Sequence, residues 1–215
     1  MSTSPAADFH PKRDANRLVR ILEPHRNGPL QHWSRADEVA TVIPGGPVPA
    51  ELHGLAFAPW QAVPHTAAGW QQLADARRLP DEPPCPGEEG LKPAAGAAVQ
   101  EPDGRFWLVS PTNRFAGYVN TFPKGRQDEG LDLQATAIKE VWEESGLLVE
   151  LTGFLMDVRR TETLTRYYLA RRVGGSPADM GWESQAVHLV PRRRLHEFLL
   201  HEKDRPLLKR LRESD

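Results

Sequence analysis

Three carboxylates stand out in the sequence for what they could do together. Glu140, Glu143 and Glu144 are spaced i, i+3, i+4, so on a helix all three project from one face. Three like charges on one face cost a few tenths of a kcal/mol per pair, roughly. A hard divalent cation bound by carboxylate oxygens would offset that. The other reading of the same pattern is a solvated acidic surface. The helix itself is well marked: Asp132 is placed to cap its start, and Gly146 sits where a glycine closes a helix. Leu131, Ala135, Ile138, Val141 and Trp142 fall opposite the acids and predict a core-facing stripe. Ahead of the helix, Thr121-Phe122-Pro123-Lys124-Gly125-Arg126 reads as a short strand entering a glycine loop, with Lys124 and Arg126 placed to meet phosphate.

The stretch from Gly125 to Leu147 resembles the Nudix box, G-x5-E-x7-R-E-U-x-E-E-x-G-U, where U is aliphatic. Gly125, Glu140, Val141, Glu143, Glu144, Gly146 and Leu147 match without a gap. Leu131 stands where the first glutamate belongs, and Lys139 replaces the arginine. The resemblance covers the chain from about Lys92 onward and implies hydrolysis of a phosphoanhydride bond, typically in a nucleoside diphosphate linked to another group. It also implies Mg²⁺, with Mn²⁺ as an alternative, because such a cation neutralises phosphate charge and lowers the pKa of bound water. By motif position, Glu140, Glu144 and the Gly125 carbonyl are expected ligands, and Glu143 is a ligand or an outer-shell base.

A base outside the box is expected on a later loop, where Glu183 in Gly181-Trp182-Glu183-Ser184 is the candidate. Tyr118 and Trp182 could stack on a base or sugar, or simply pack. Arg166 reads as a surface arginine or a phosphate contact. Glu129 is a candidate stand-in for the missing first glutamate. Lys139 keeps a point charge without the bidentate geometry of arginine. Pro123-Lys124-Gly125 resembles members acting on dinucleoside polyphosphates or diphosphoinositol polyphosphates; ADP-ribose and oxidised nucleoside triphosphates remain alternatives. The two departures also motivate a different class, a catalytically weak Nudix module that binds a nucleotide and regulates a partner.

The rest of the chain bounds these readings. Its 215 residues carry a net charge of −2, with 39% hydrophobic and 26% charged residues, an ordinary globular balance. That balance offers no broad attraction for long nucleic acid or an anionic membrane. The runs Arg159-Arg160 and Arg192-Arg193-Arg194 are short. One cysteine, Cys85, excludes an internal disulfide, and no apolar run approaches a membrane span. The N-terminus lacks the apolar core of a secretory signal, so the expected location is the cytoplasm.

The element pattern predicts an α/β fold, and the resemblance implies the Nudix-type α/β/α sandwich with a mixed sheet, preceded by a proline-rich extension. Residues 1–15 read as a disordered tail. Residues 16–90 read as a loop-rich extension and linker, since fourteen of the 20 prolines fall before residue 95. Its tryptophans, Trp33, Trp60 and Trp70, are too many for a solvated linker, so it should pack on the catalytic domain or against a second copy in a homodimer. A helix is expected at Trp70–Leu79. His25, His32, His53 and His65 show no tight metal-ligand spacing. Residues 91–215 should form the Nudix domain. Pro80–Pro93 marks the boundary. A hairpin follows over Ala94–Gln100 and Arg105–Ser110, turning at Glu101-Pro102-Asp103-Gly104. Strands are then expected at Val119–Phe122, Leu148–Phe154, Met156–Arg160, Thr165–Arg171 and Ser184–Val190. Helices should open at Pro191 and span Asp204–Glu213.

Overall fold

The computed structural model describes residues 9–24 and 26–213. Residues 1–8 of the expected tail, and His25, lie outside the described residues.

The elements run β1 (Ala40–Val42), β2 (Glu51–Leu52), β3 (Leu55–Ala56), α1 (Ala67–Asp75), β4 (Lys92–Gln100), β5 (Arg105–Pro111), β6 (Lys124–Arg126), α2 (Leu133–Ser145), β7 (Leu147–Arg159), β8 (Thr163–Gly175), β9 (Ser184–Pro191), α3 (Leu195–Phe198) and α4 (Arg205–Arg212). One seven-stranded sheet is ordered β1-β9-β5-β4-β8-β7, with β6 paired to β4, and β2 and β3 form a separate ribbon. β4 and β8 are parallel while the other pairs are antiparallel, which makes the sheet mixed.

Alternation along β5 divides the core. Trp107 and Val109 face α2 and the extension; Phe106 and Leu108 face α4 and Phe122. Helices therefore cover both faces, as the α/β/α expectation required. Ahead of the hairpin turn, β4 pairs over Ala94–Gly96 with β6, which delivers Lys124 and Gly125 beneath α2.

Several expectations shift. The strand expected at Val119–Phe122 is only a bridge from Thr121 to Val109, and the ladder resumes beyond Pro123, which has no N–H to donate. The two strands expected over residues 148–160 are one bulged strand, β7. Pro191 closes β9 in extended backbone (ψ 137°), so a 3₁₀ turn and the four-residue α3 replace the longer helix expected there. The helix expected at Trp70–Leu79 is Ala67–Asp75: it begins earlier, because Thr66 caps it by accepting from the Gly69 N–H at 3.1 Å, and it ends before Leu79.

The extension is part of the main core. β1 is an edge strand of the sheet beside β9, and Trp33, Leu52 and Trp70 lie in one buried cluster with Trp107 and Val141. Its large apolar groups are thus used within the chain. The disordered reading does not hold for residues 9–15, since His10 is 2% exposed and its N–H donates to the Val19 carbonyl at 2.8 Å. The Pro80–Pro93 stretch also docks on the sheet: Tyr168 Oη donates to Glu82 at 2.7 Å, and Arg166 to the Pro83 carbonyl at 2.7 Å. Arg166 is accordingly neither a surface arginine nor a phosphate contact. It is 2% exposed and holds Asp157 with two bonds of 2.8 Å. His53 sits 3.1 Å from Asp103, and His32 3.0 Å from the Val39 carbonyl. Among the described residues no helix is long and apolar enough to cross a membrane.

Candidate functional site

The site is built where α2 meets the β6 loop. Asp132 caps α2 by accepting from the Ala135 N–H at 2.8 Å. Burial pushes its carboxyl up, but bonds from Ala135, Gln71 and Arg78 hold it below the ordinary value. Gln71 and Arg78 belong to α1 and the segment after it, so the extension braces the start of the helix. At the other end Gly146 takes the left-handed conformation (φ 71°) and stops the helix.

Two of the three glutamates are buried, which removes the solvated-surface reading for them. Glu140 is 8% exposed and Glu144 is 9% exposed. Glu144 accepts from the Lys124 N–H at 2.9 Å. Gly125 lies so close to Glu140 that a Cβ there would stand 2.1 Å from its Oε2. Burial, and then the charge of Glu144, pushes the Glu140 carboxyl up to about 9. Burial pushes Glu144 up to about 7, against the pull of Lys124. Lys124 itself is lowered by burial, and its ammonium stands 5.1 Å from the Tyr118 ring centre.

Glu143 is turned differently. Lys139 Nζ donates to it at 2.6 Å and also lies 2.9 Å from Asp128. Burial would lower the Lys139 ammonium, but these two partners raise it. Among the described residues no three acidic, histidine or cysteine side chains converge as a ready-made metal set. The buried pair Glu140 and Glu144 nonetheless suits a hard cation, since Mg²⁺ characteristically takes one or two carboxylates and completes its shell with water and phosphate oxygens.

Glu183 reaches the same neighbourhood. Its loop is tied to α2 by the Gly181 N–H, which donates to the Glu143 carbonyl at 2.7 Å. The Glu183 side chain meets solvent, yet partial burial and then the Glu143 charge raise its carboxyl. Lys12 braces this loop from the N-terminal side by donating to the Asp179 carbonyl, and stands 5.7 Å over Trp142.

Other expected residues are placed elsewhere. Tyr118 is 5% exposed, stacks on His201 at 4.2 Å and accepts from Arg160, so it packs rather than offering a face to a ligand. Arg126 is exposed and pairs with Glu162. Trp182 is half-buried, with its carbonyl accepting from Thr112 Oγ1 at 2.6 Å. Glu129 is exposed. Leu131 is 5% exposed in the cluster with Trp70, so at this position apolar packing under the extension replaces a carboxylate.

Sequence reasoning missed two buried polar clusters. Arg160, read as part of a short basic run, is 6% exposed and donates to Tyr167 Oη and Asp204, both at 2.7 Å. His188, 6% exposed on β9, joins Ser110 at 2.8 Å and Thr41 at 2.9 Å. The strand alternation that puts His188 beside Ser110 was the available signal. Two cavities are lined by described residues. One, of about 740 Å³, lies between β5, β9 and the extension segment Leu22–Pro24. The other, of about 450 Å³, lies between α1 and α2 beside Lys139 and Glu143.

The family model described as the NUDIX domain matches residues 90–211, and the chain belongs to that family. It is 36% identical over 96 residues to an RNA pyrophosphohydrolase of Caulobacter vibrioides, covering 44% of this chain and 52% of that protein. It is 38% identical over 61 residues to "Nucleoside diphosphate-linked moiety X motif 6" of Xenopus laevis, covering 28% of each. The chain thus spans about half or less of the length of these curated relatives. Among solved structures, the MutT protein of Methanosarcina mazei Go1 is similar at 16% identity and a TM-score of 0.48, over 60% of this chain and 98% of that one.

Proposed function

We propose that this chain hydrolyses a phosphoanhydride bond in a nucleoside diphosphate-linked or polyphosphate substrate with the help of Mg²⁺ or Mn²⁺. The observation that carries the reading is the pair of buried carboxylates, Glu140 and Glu144, pressed against the Gly125 loop next to Glu143 and Glu183. Glu140 and Glu144, with the Gly125 carbonyl, would hold the cation. Bound there, it would neutralise phosphate charge and acidify water. Lys124, whose backbone N–H donates to Glu144, brings its side chain to the Glu144 side of the loop. Glu183, raised from its ordinary value and tied to α2 through its loop, takes the proton of the attacking water; Glu143 is the second candidate for that role. The names of the relatives, an RNA pyrophosphohydrolase and a nucleoside diphosphate-linked moiety X protein, support a nucleoside-bearing substrate.

A second reading has its own observation. Lys139 engages Glu143 at 2.6 Å, and Leu131 supplies no carboxylate, which favours a module that binds a nucleotide with weak turnover. The deciding experiment is a panel of dinucleoside polyphosphates, ADP-ribose, oxidised nucleoside triphosphates and 5′-triphosphorylated RNA, assayed with Mg²⁺ for phosphate release and product identity. Turnover that falls by about 100-fold or more in Glu144→Gln supports the hydrolase. Ligand-dependent thermal stabilisation without turnover supports the binding module, and full activity of Glu144→Gln overturns the ligand assignment.

A further inference from the structure

Glu183 stands on the loop between β8 and β9, and part of what holds that loop lies outside the matched family domain, residues 90–211. Inside the domain, the Gly181 N–H donates to the Glu143 carbonyl and the Thr112 N–H to the Glu183 carbonyl, both at 2.7 Å. At Gly181 the loop comes so near α2 that a Cβ would stand 2.2 Å from the Glu143 carbonyl oxygen. The other restraints come from the N-terminal segment.

That segment begins as a narrow hairpin, in which Phe9 bridges Arg20 and Asp14 bridges Arg17. The hairpin grips the loop ahead of Glu183. Lys12 donates to the Asp179 carbonyl and stands 5.7 Å over the Trp142 ring, so one side chain ties the loop to α2. Buried His10 shapes this contact: its Nδ1 accepts from the Lys12 N–H at 2.9 Å, which places the ring hydrogen on Nε2, the nitrogen that interacts with the Gly181 backbone. The continuation of the segment grips the chain just after Glu183. Gln185 Oε1 accepts from the Leu22 N–H at 2.8 Å and the Glu23 N–H at 3.3 Å, and its Nε2 donates to the Arg20 carbonyl at 2.7 Å. Glu183 thus lies between two tethers, at positions 179 and 185, both supplied from the same N-terminal stretch.

From this geometry we propose that residues 9–23 are a strap that fixes the Gly181–Glu183 loop against α2, and that Lys12 is a positioning residue which places the Glu183 carboxylate for proton transfer. This rests on the hydrolase reading and adds to it that the rate depends on residues outside the matched domain. A group that takes a proton in the transition state must be held in register with the attacking water, and a displacement of about 1 Å can cost ~100-fold in rate.

The test uses the full chain with Mg²⁺ and the phosphoanhydride of the panel above that turns over fastest. Lys12 lies at the surface, so its replacement leaves the core intact. Lys12→Met keeps the apolar stem and loses the donor. It should lower kcat by ~10-fold or more with KM unchanged, and Lys12→Arg, which restores a donor and a cation over Trp142, should recover most of that loss. In a Glu183→Gln background Lys12→Met should lose nothing further, because the two residues act as one unit. Wild-type kcat in Lys12→Met, a loss that falls on KM, a Lys12→Arg variant as impaired as Lys12→Met, or full additivity with Glu183→Gln overturns the proposal. Hydrogen exchange reads the strap without turnover: in Lys12→Met the Gly181 amide should exchange ~10-fold faster while the β7–β8 amides keep their rates. If Glu183→Gln keeps full activity, the assignment of the base fails separately, and if nothing in the panel is hydrolysed, so does the hydrolase reading. Exchange then decides alone: a faster Gly181 amide upholds the strap, and an unchanged one overturns it.

Discussion

Gly125 does its work by having no side chain. A Cβ there would stand 2.1 Å from Glu140 Oε2 and displace either the loop or the carboxylate. Gly125→Ala should cost about 1–3 kcal/mol of stability, the usual range for overpacking a tight site. Chemical denaturation would show this as a lower midpoint, and hydrolysis should fall with it. A variant of unchanged midpoint would mean that the loop relaxes freely.

Glu140 allows a second expectation at this scale. In the cation-free protein its carboxyl is raised from 4.5 to about 9, so the native state keeps a proton that the unfolded chain has released. The resulting stability is fully present below pH 4.5 and is lost as pH rises towards 9. His10 and His188, lowered from 6.5 to about 4, act with the opposite sign, but their effect is complete by about pH 6.5. Lys12 and Lys124, lowered by burial, also act with the opposite sign but are common to both proteins. Between about pH 7 and 9, in chelator, the change of melting temperature with pH should therefore be more negative in the wild type than in Glu140→Gln. Equal slopes would show that Glu140 is not held protonated.

The spacing of the three glutamates, the Asp132 cap and the Gly146 stop were legible in the sequence because each depends on local helix geometry. The burial of Glu140 and Glu144 was not, because it depends on a strand that arrives from elsewhere in the chain. Tyr118 and Arg166 were misread for the same reason: their partners, His201 and Asp204 around the first and Pro83 beside the second, are distant in sequence.

Among elements, the contact of α1 with α2 carries much of the site's support. Trp60, Trp70 and Trp142 form a cluster with ring centres 5.6–6.1 Å apart. Trp70 is 4% exposed, and Trp70→Ala should cost ~3–5 kcal/mol by leaving a cavity between the helices. Since α1 and its following segment hold the Asp132 cap through Gln71 and Arg78, activity should fall more steeply with temperature than in the wild type. A denaturation series with parallel rate measurements checks both. The β4–β5 hairpin was readable because its alternation and turn residues agree. The Val119–Phe122 strand and the Pro191 helix were overread: β propensity and a proline each permit those elements, but pairing partners decide them. The pairing of Thr121 with Val109 alone, and of Pro191 with Arg105, settled both cases.

At the scale of the molecule, the family domain and the extension share one core. Trp33, Trp70 and Trp107 lie in the same buried cluster, and β1 covers the β9 edge. Thermal and denaturant unfolding should therefore give one transition by tryptophan fluorescence and far-ultraviolet circular dichroism. Two separated transitions would show that the extension unfolds on its own. Removing residues 1–43 should uncover β9 as an edge strand and leave the remaining chain prone to aggregate, measured by light scattering. The sequence marked the proline-rich stretch as a boundary because composition reports loop content. It could not report that the loops dock, which rests on single bonds such as Tyr168 to Glu82.

The pairing of β1 with β9 also bears on how the chain folds. Ala40 and Leu189 are partners about 150 residues apart, so the strand made early meets its neighbour only when synthesis is nearly complete. Until then the indoles of Trp33 and Trp70 have no finished surface to cover. Closing so long a loop is slow, and pulse-labelled hydrogen exchange during refolding should find the Ala40–Val42 amides protected after those of the β7–β8 pair, which are joined by a short turn. The segment that walls the larger cavity precedes β1 in the chain, and on this ordering it would be among the last parts of the molecule to reach its final place.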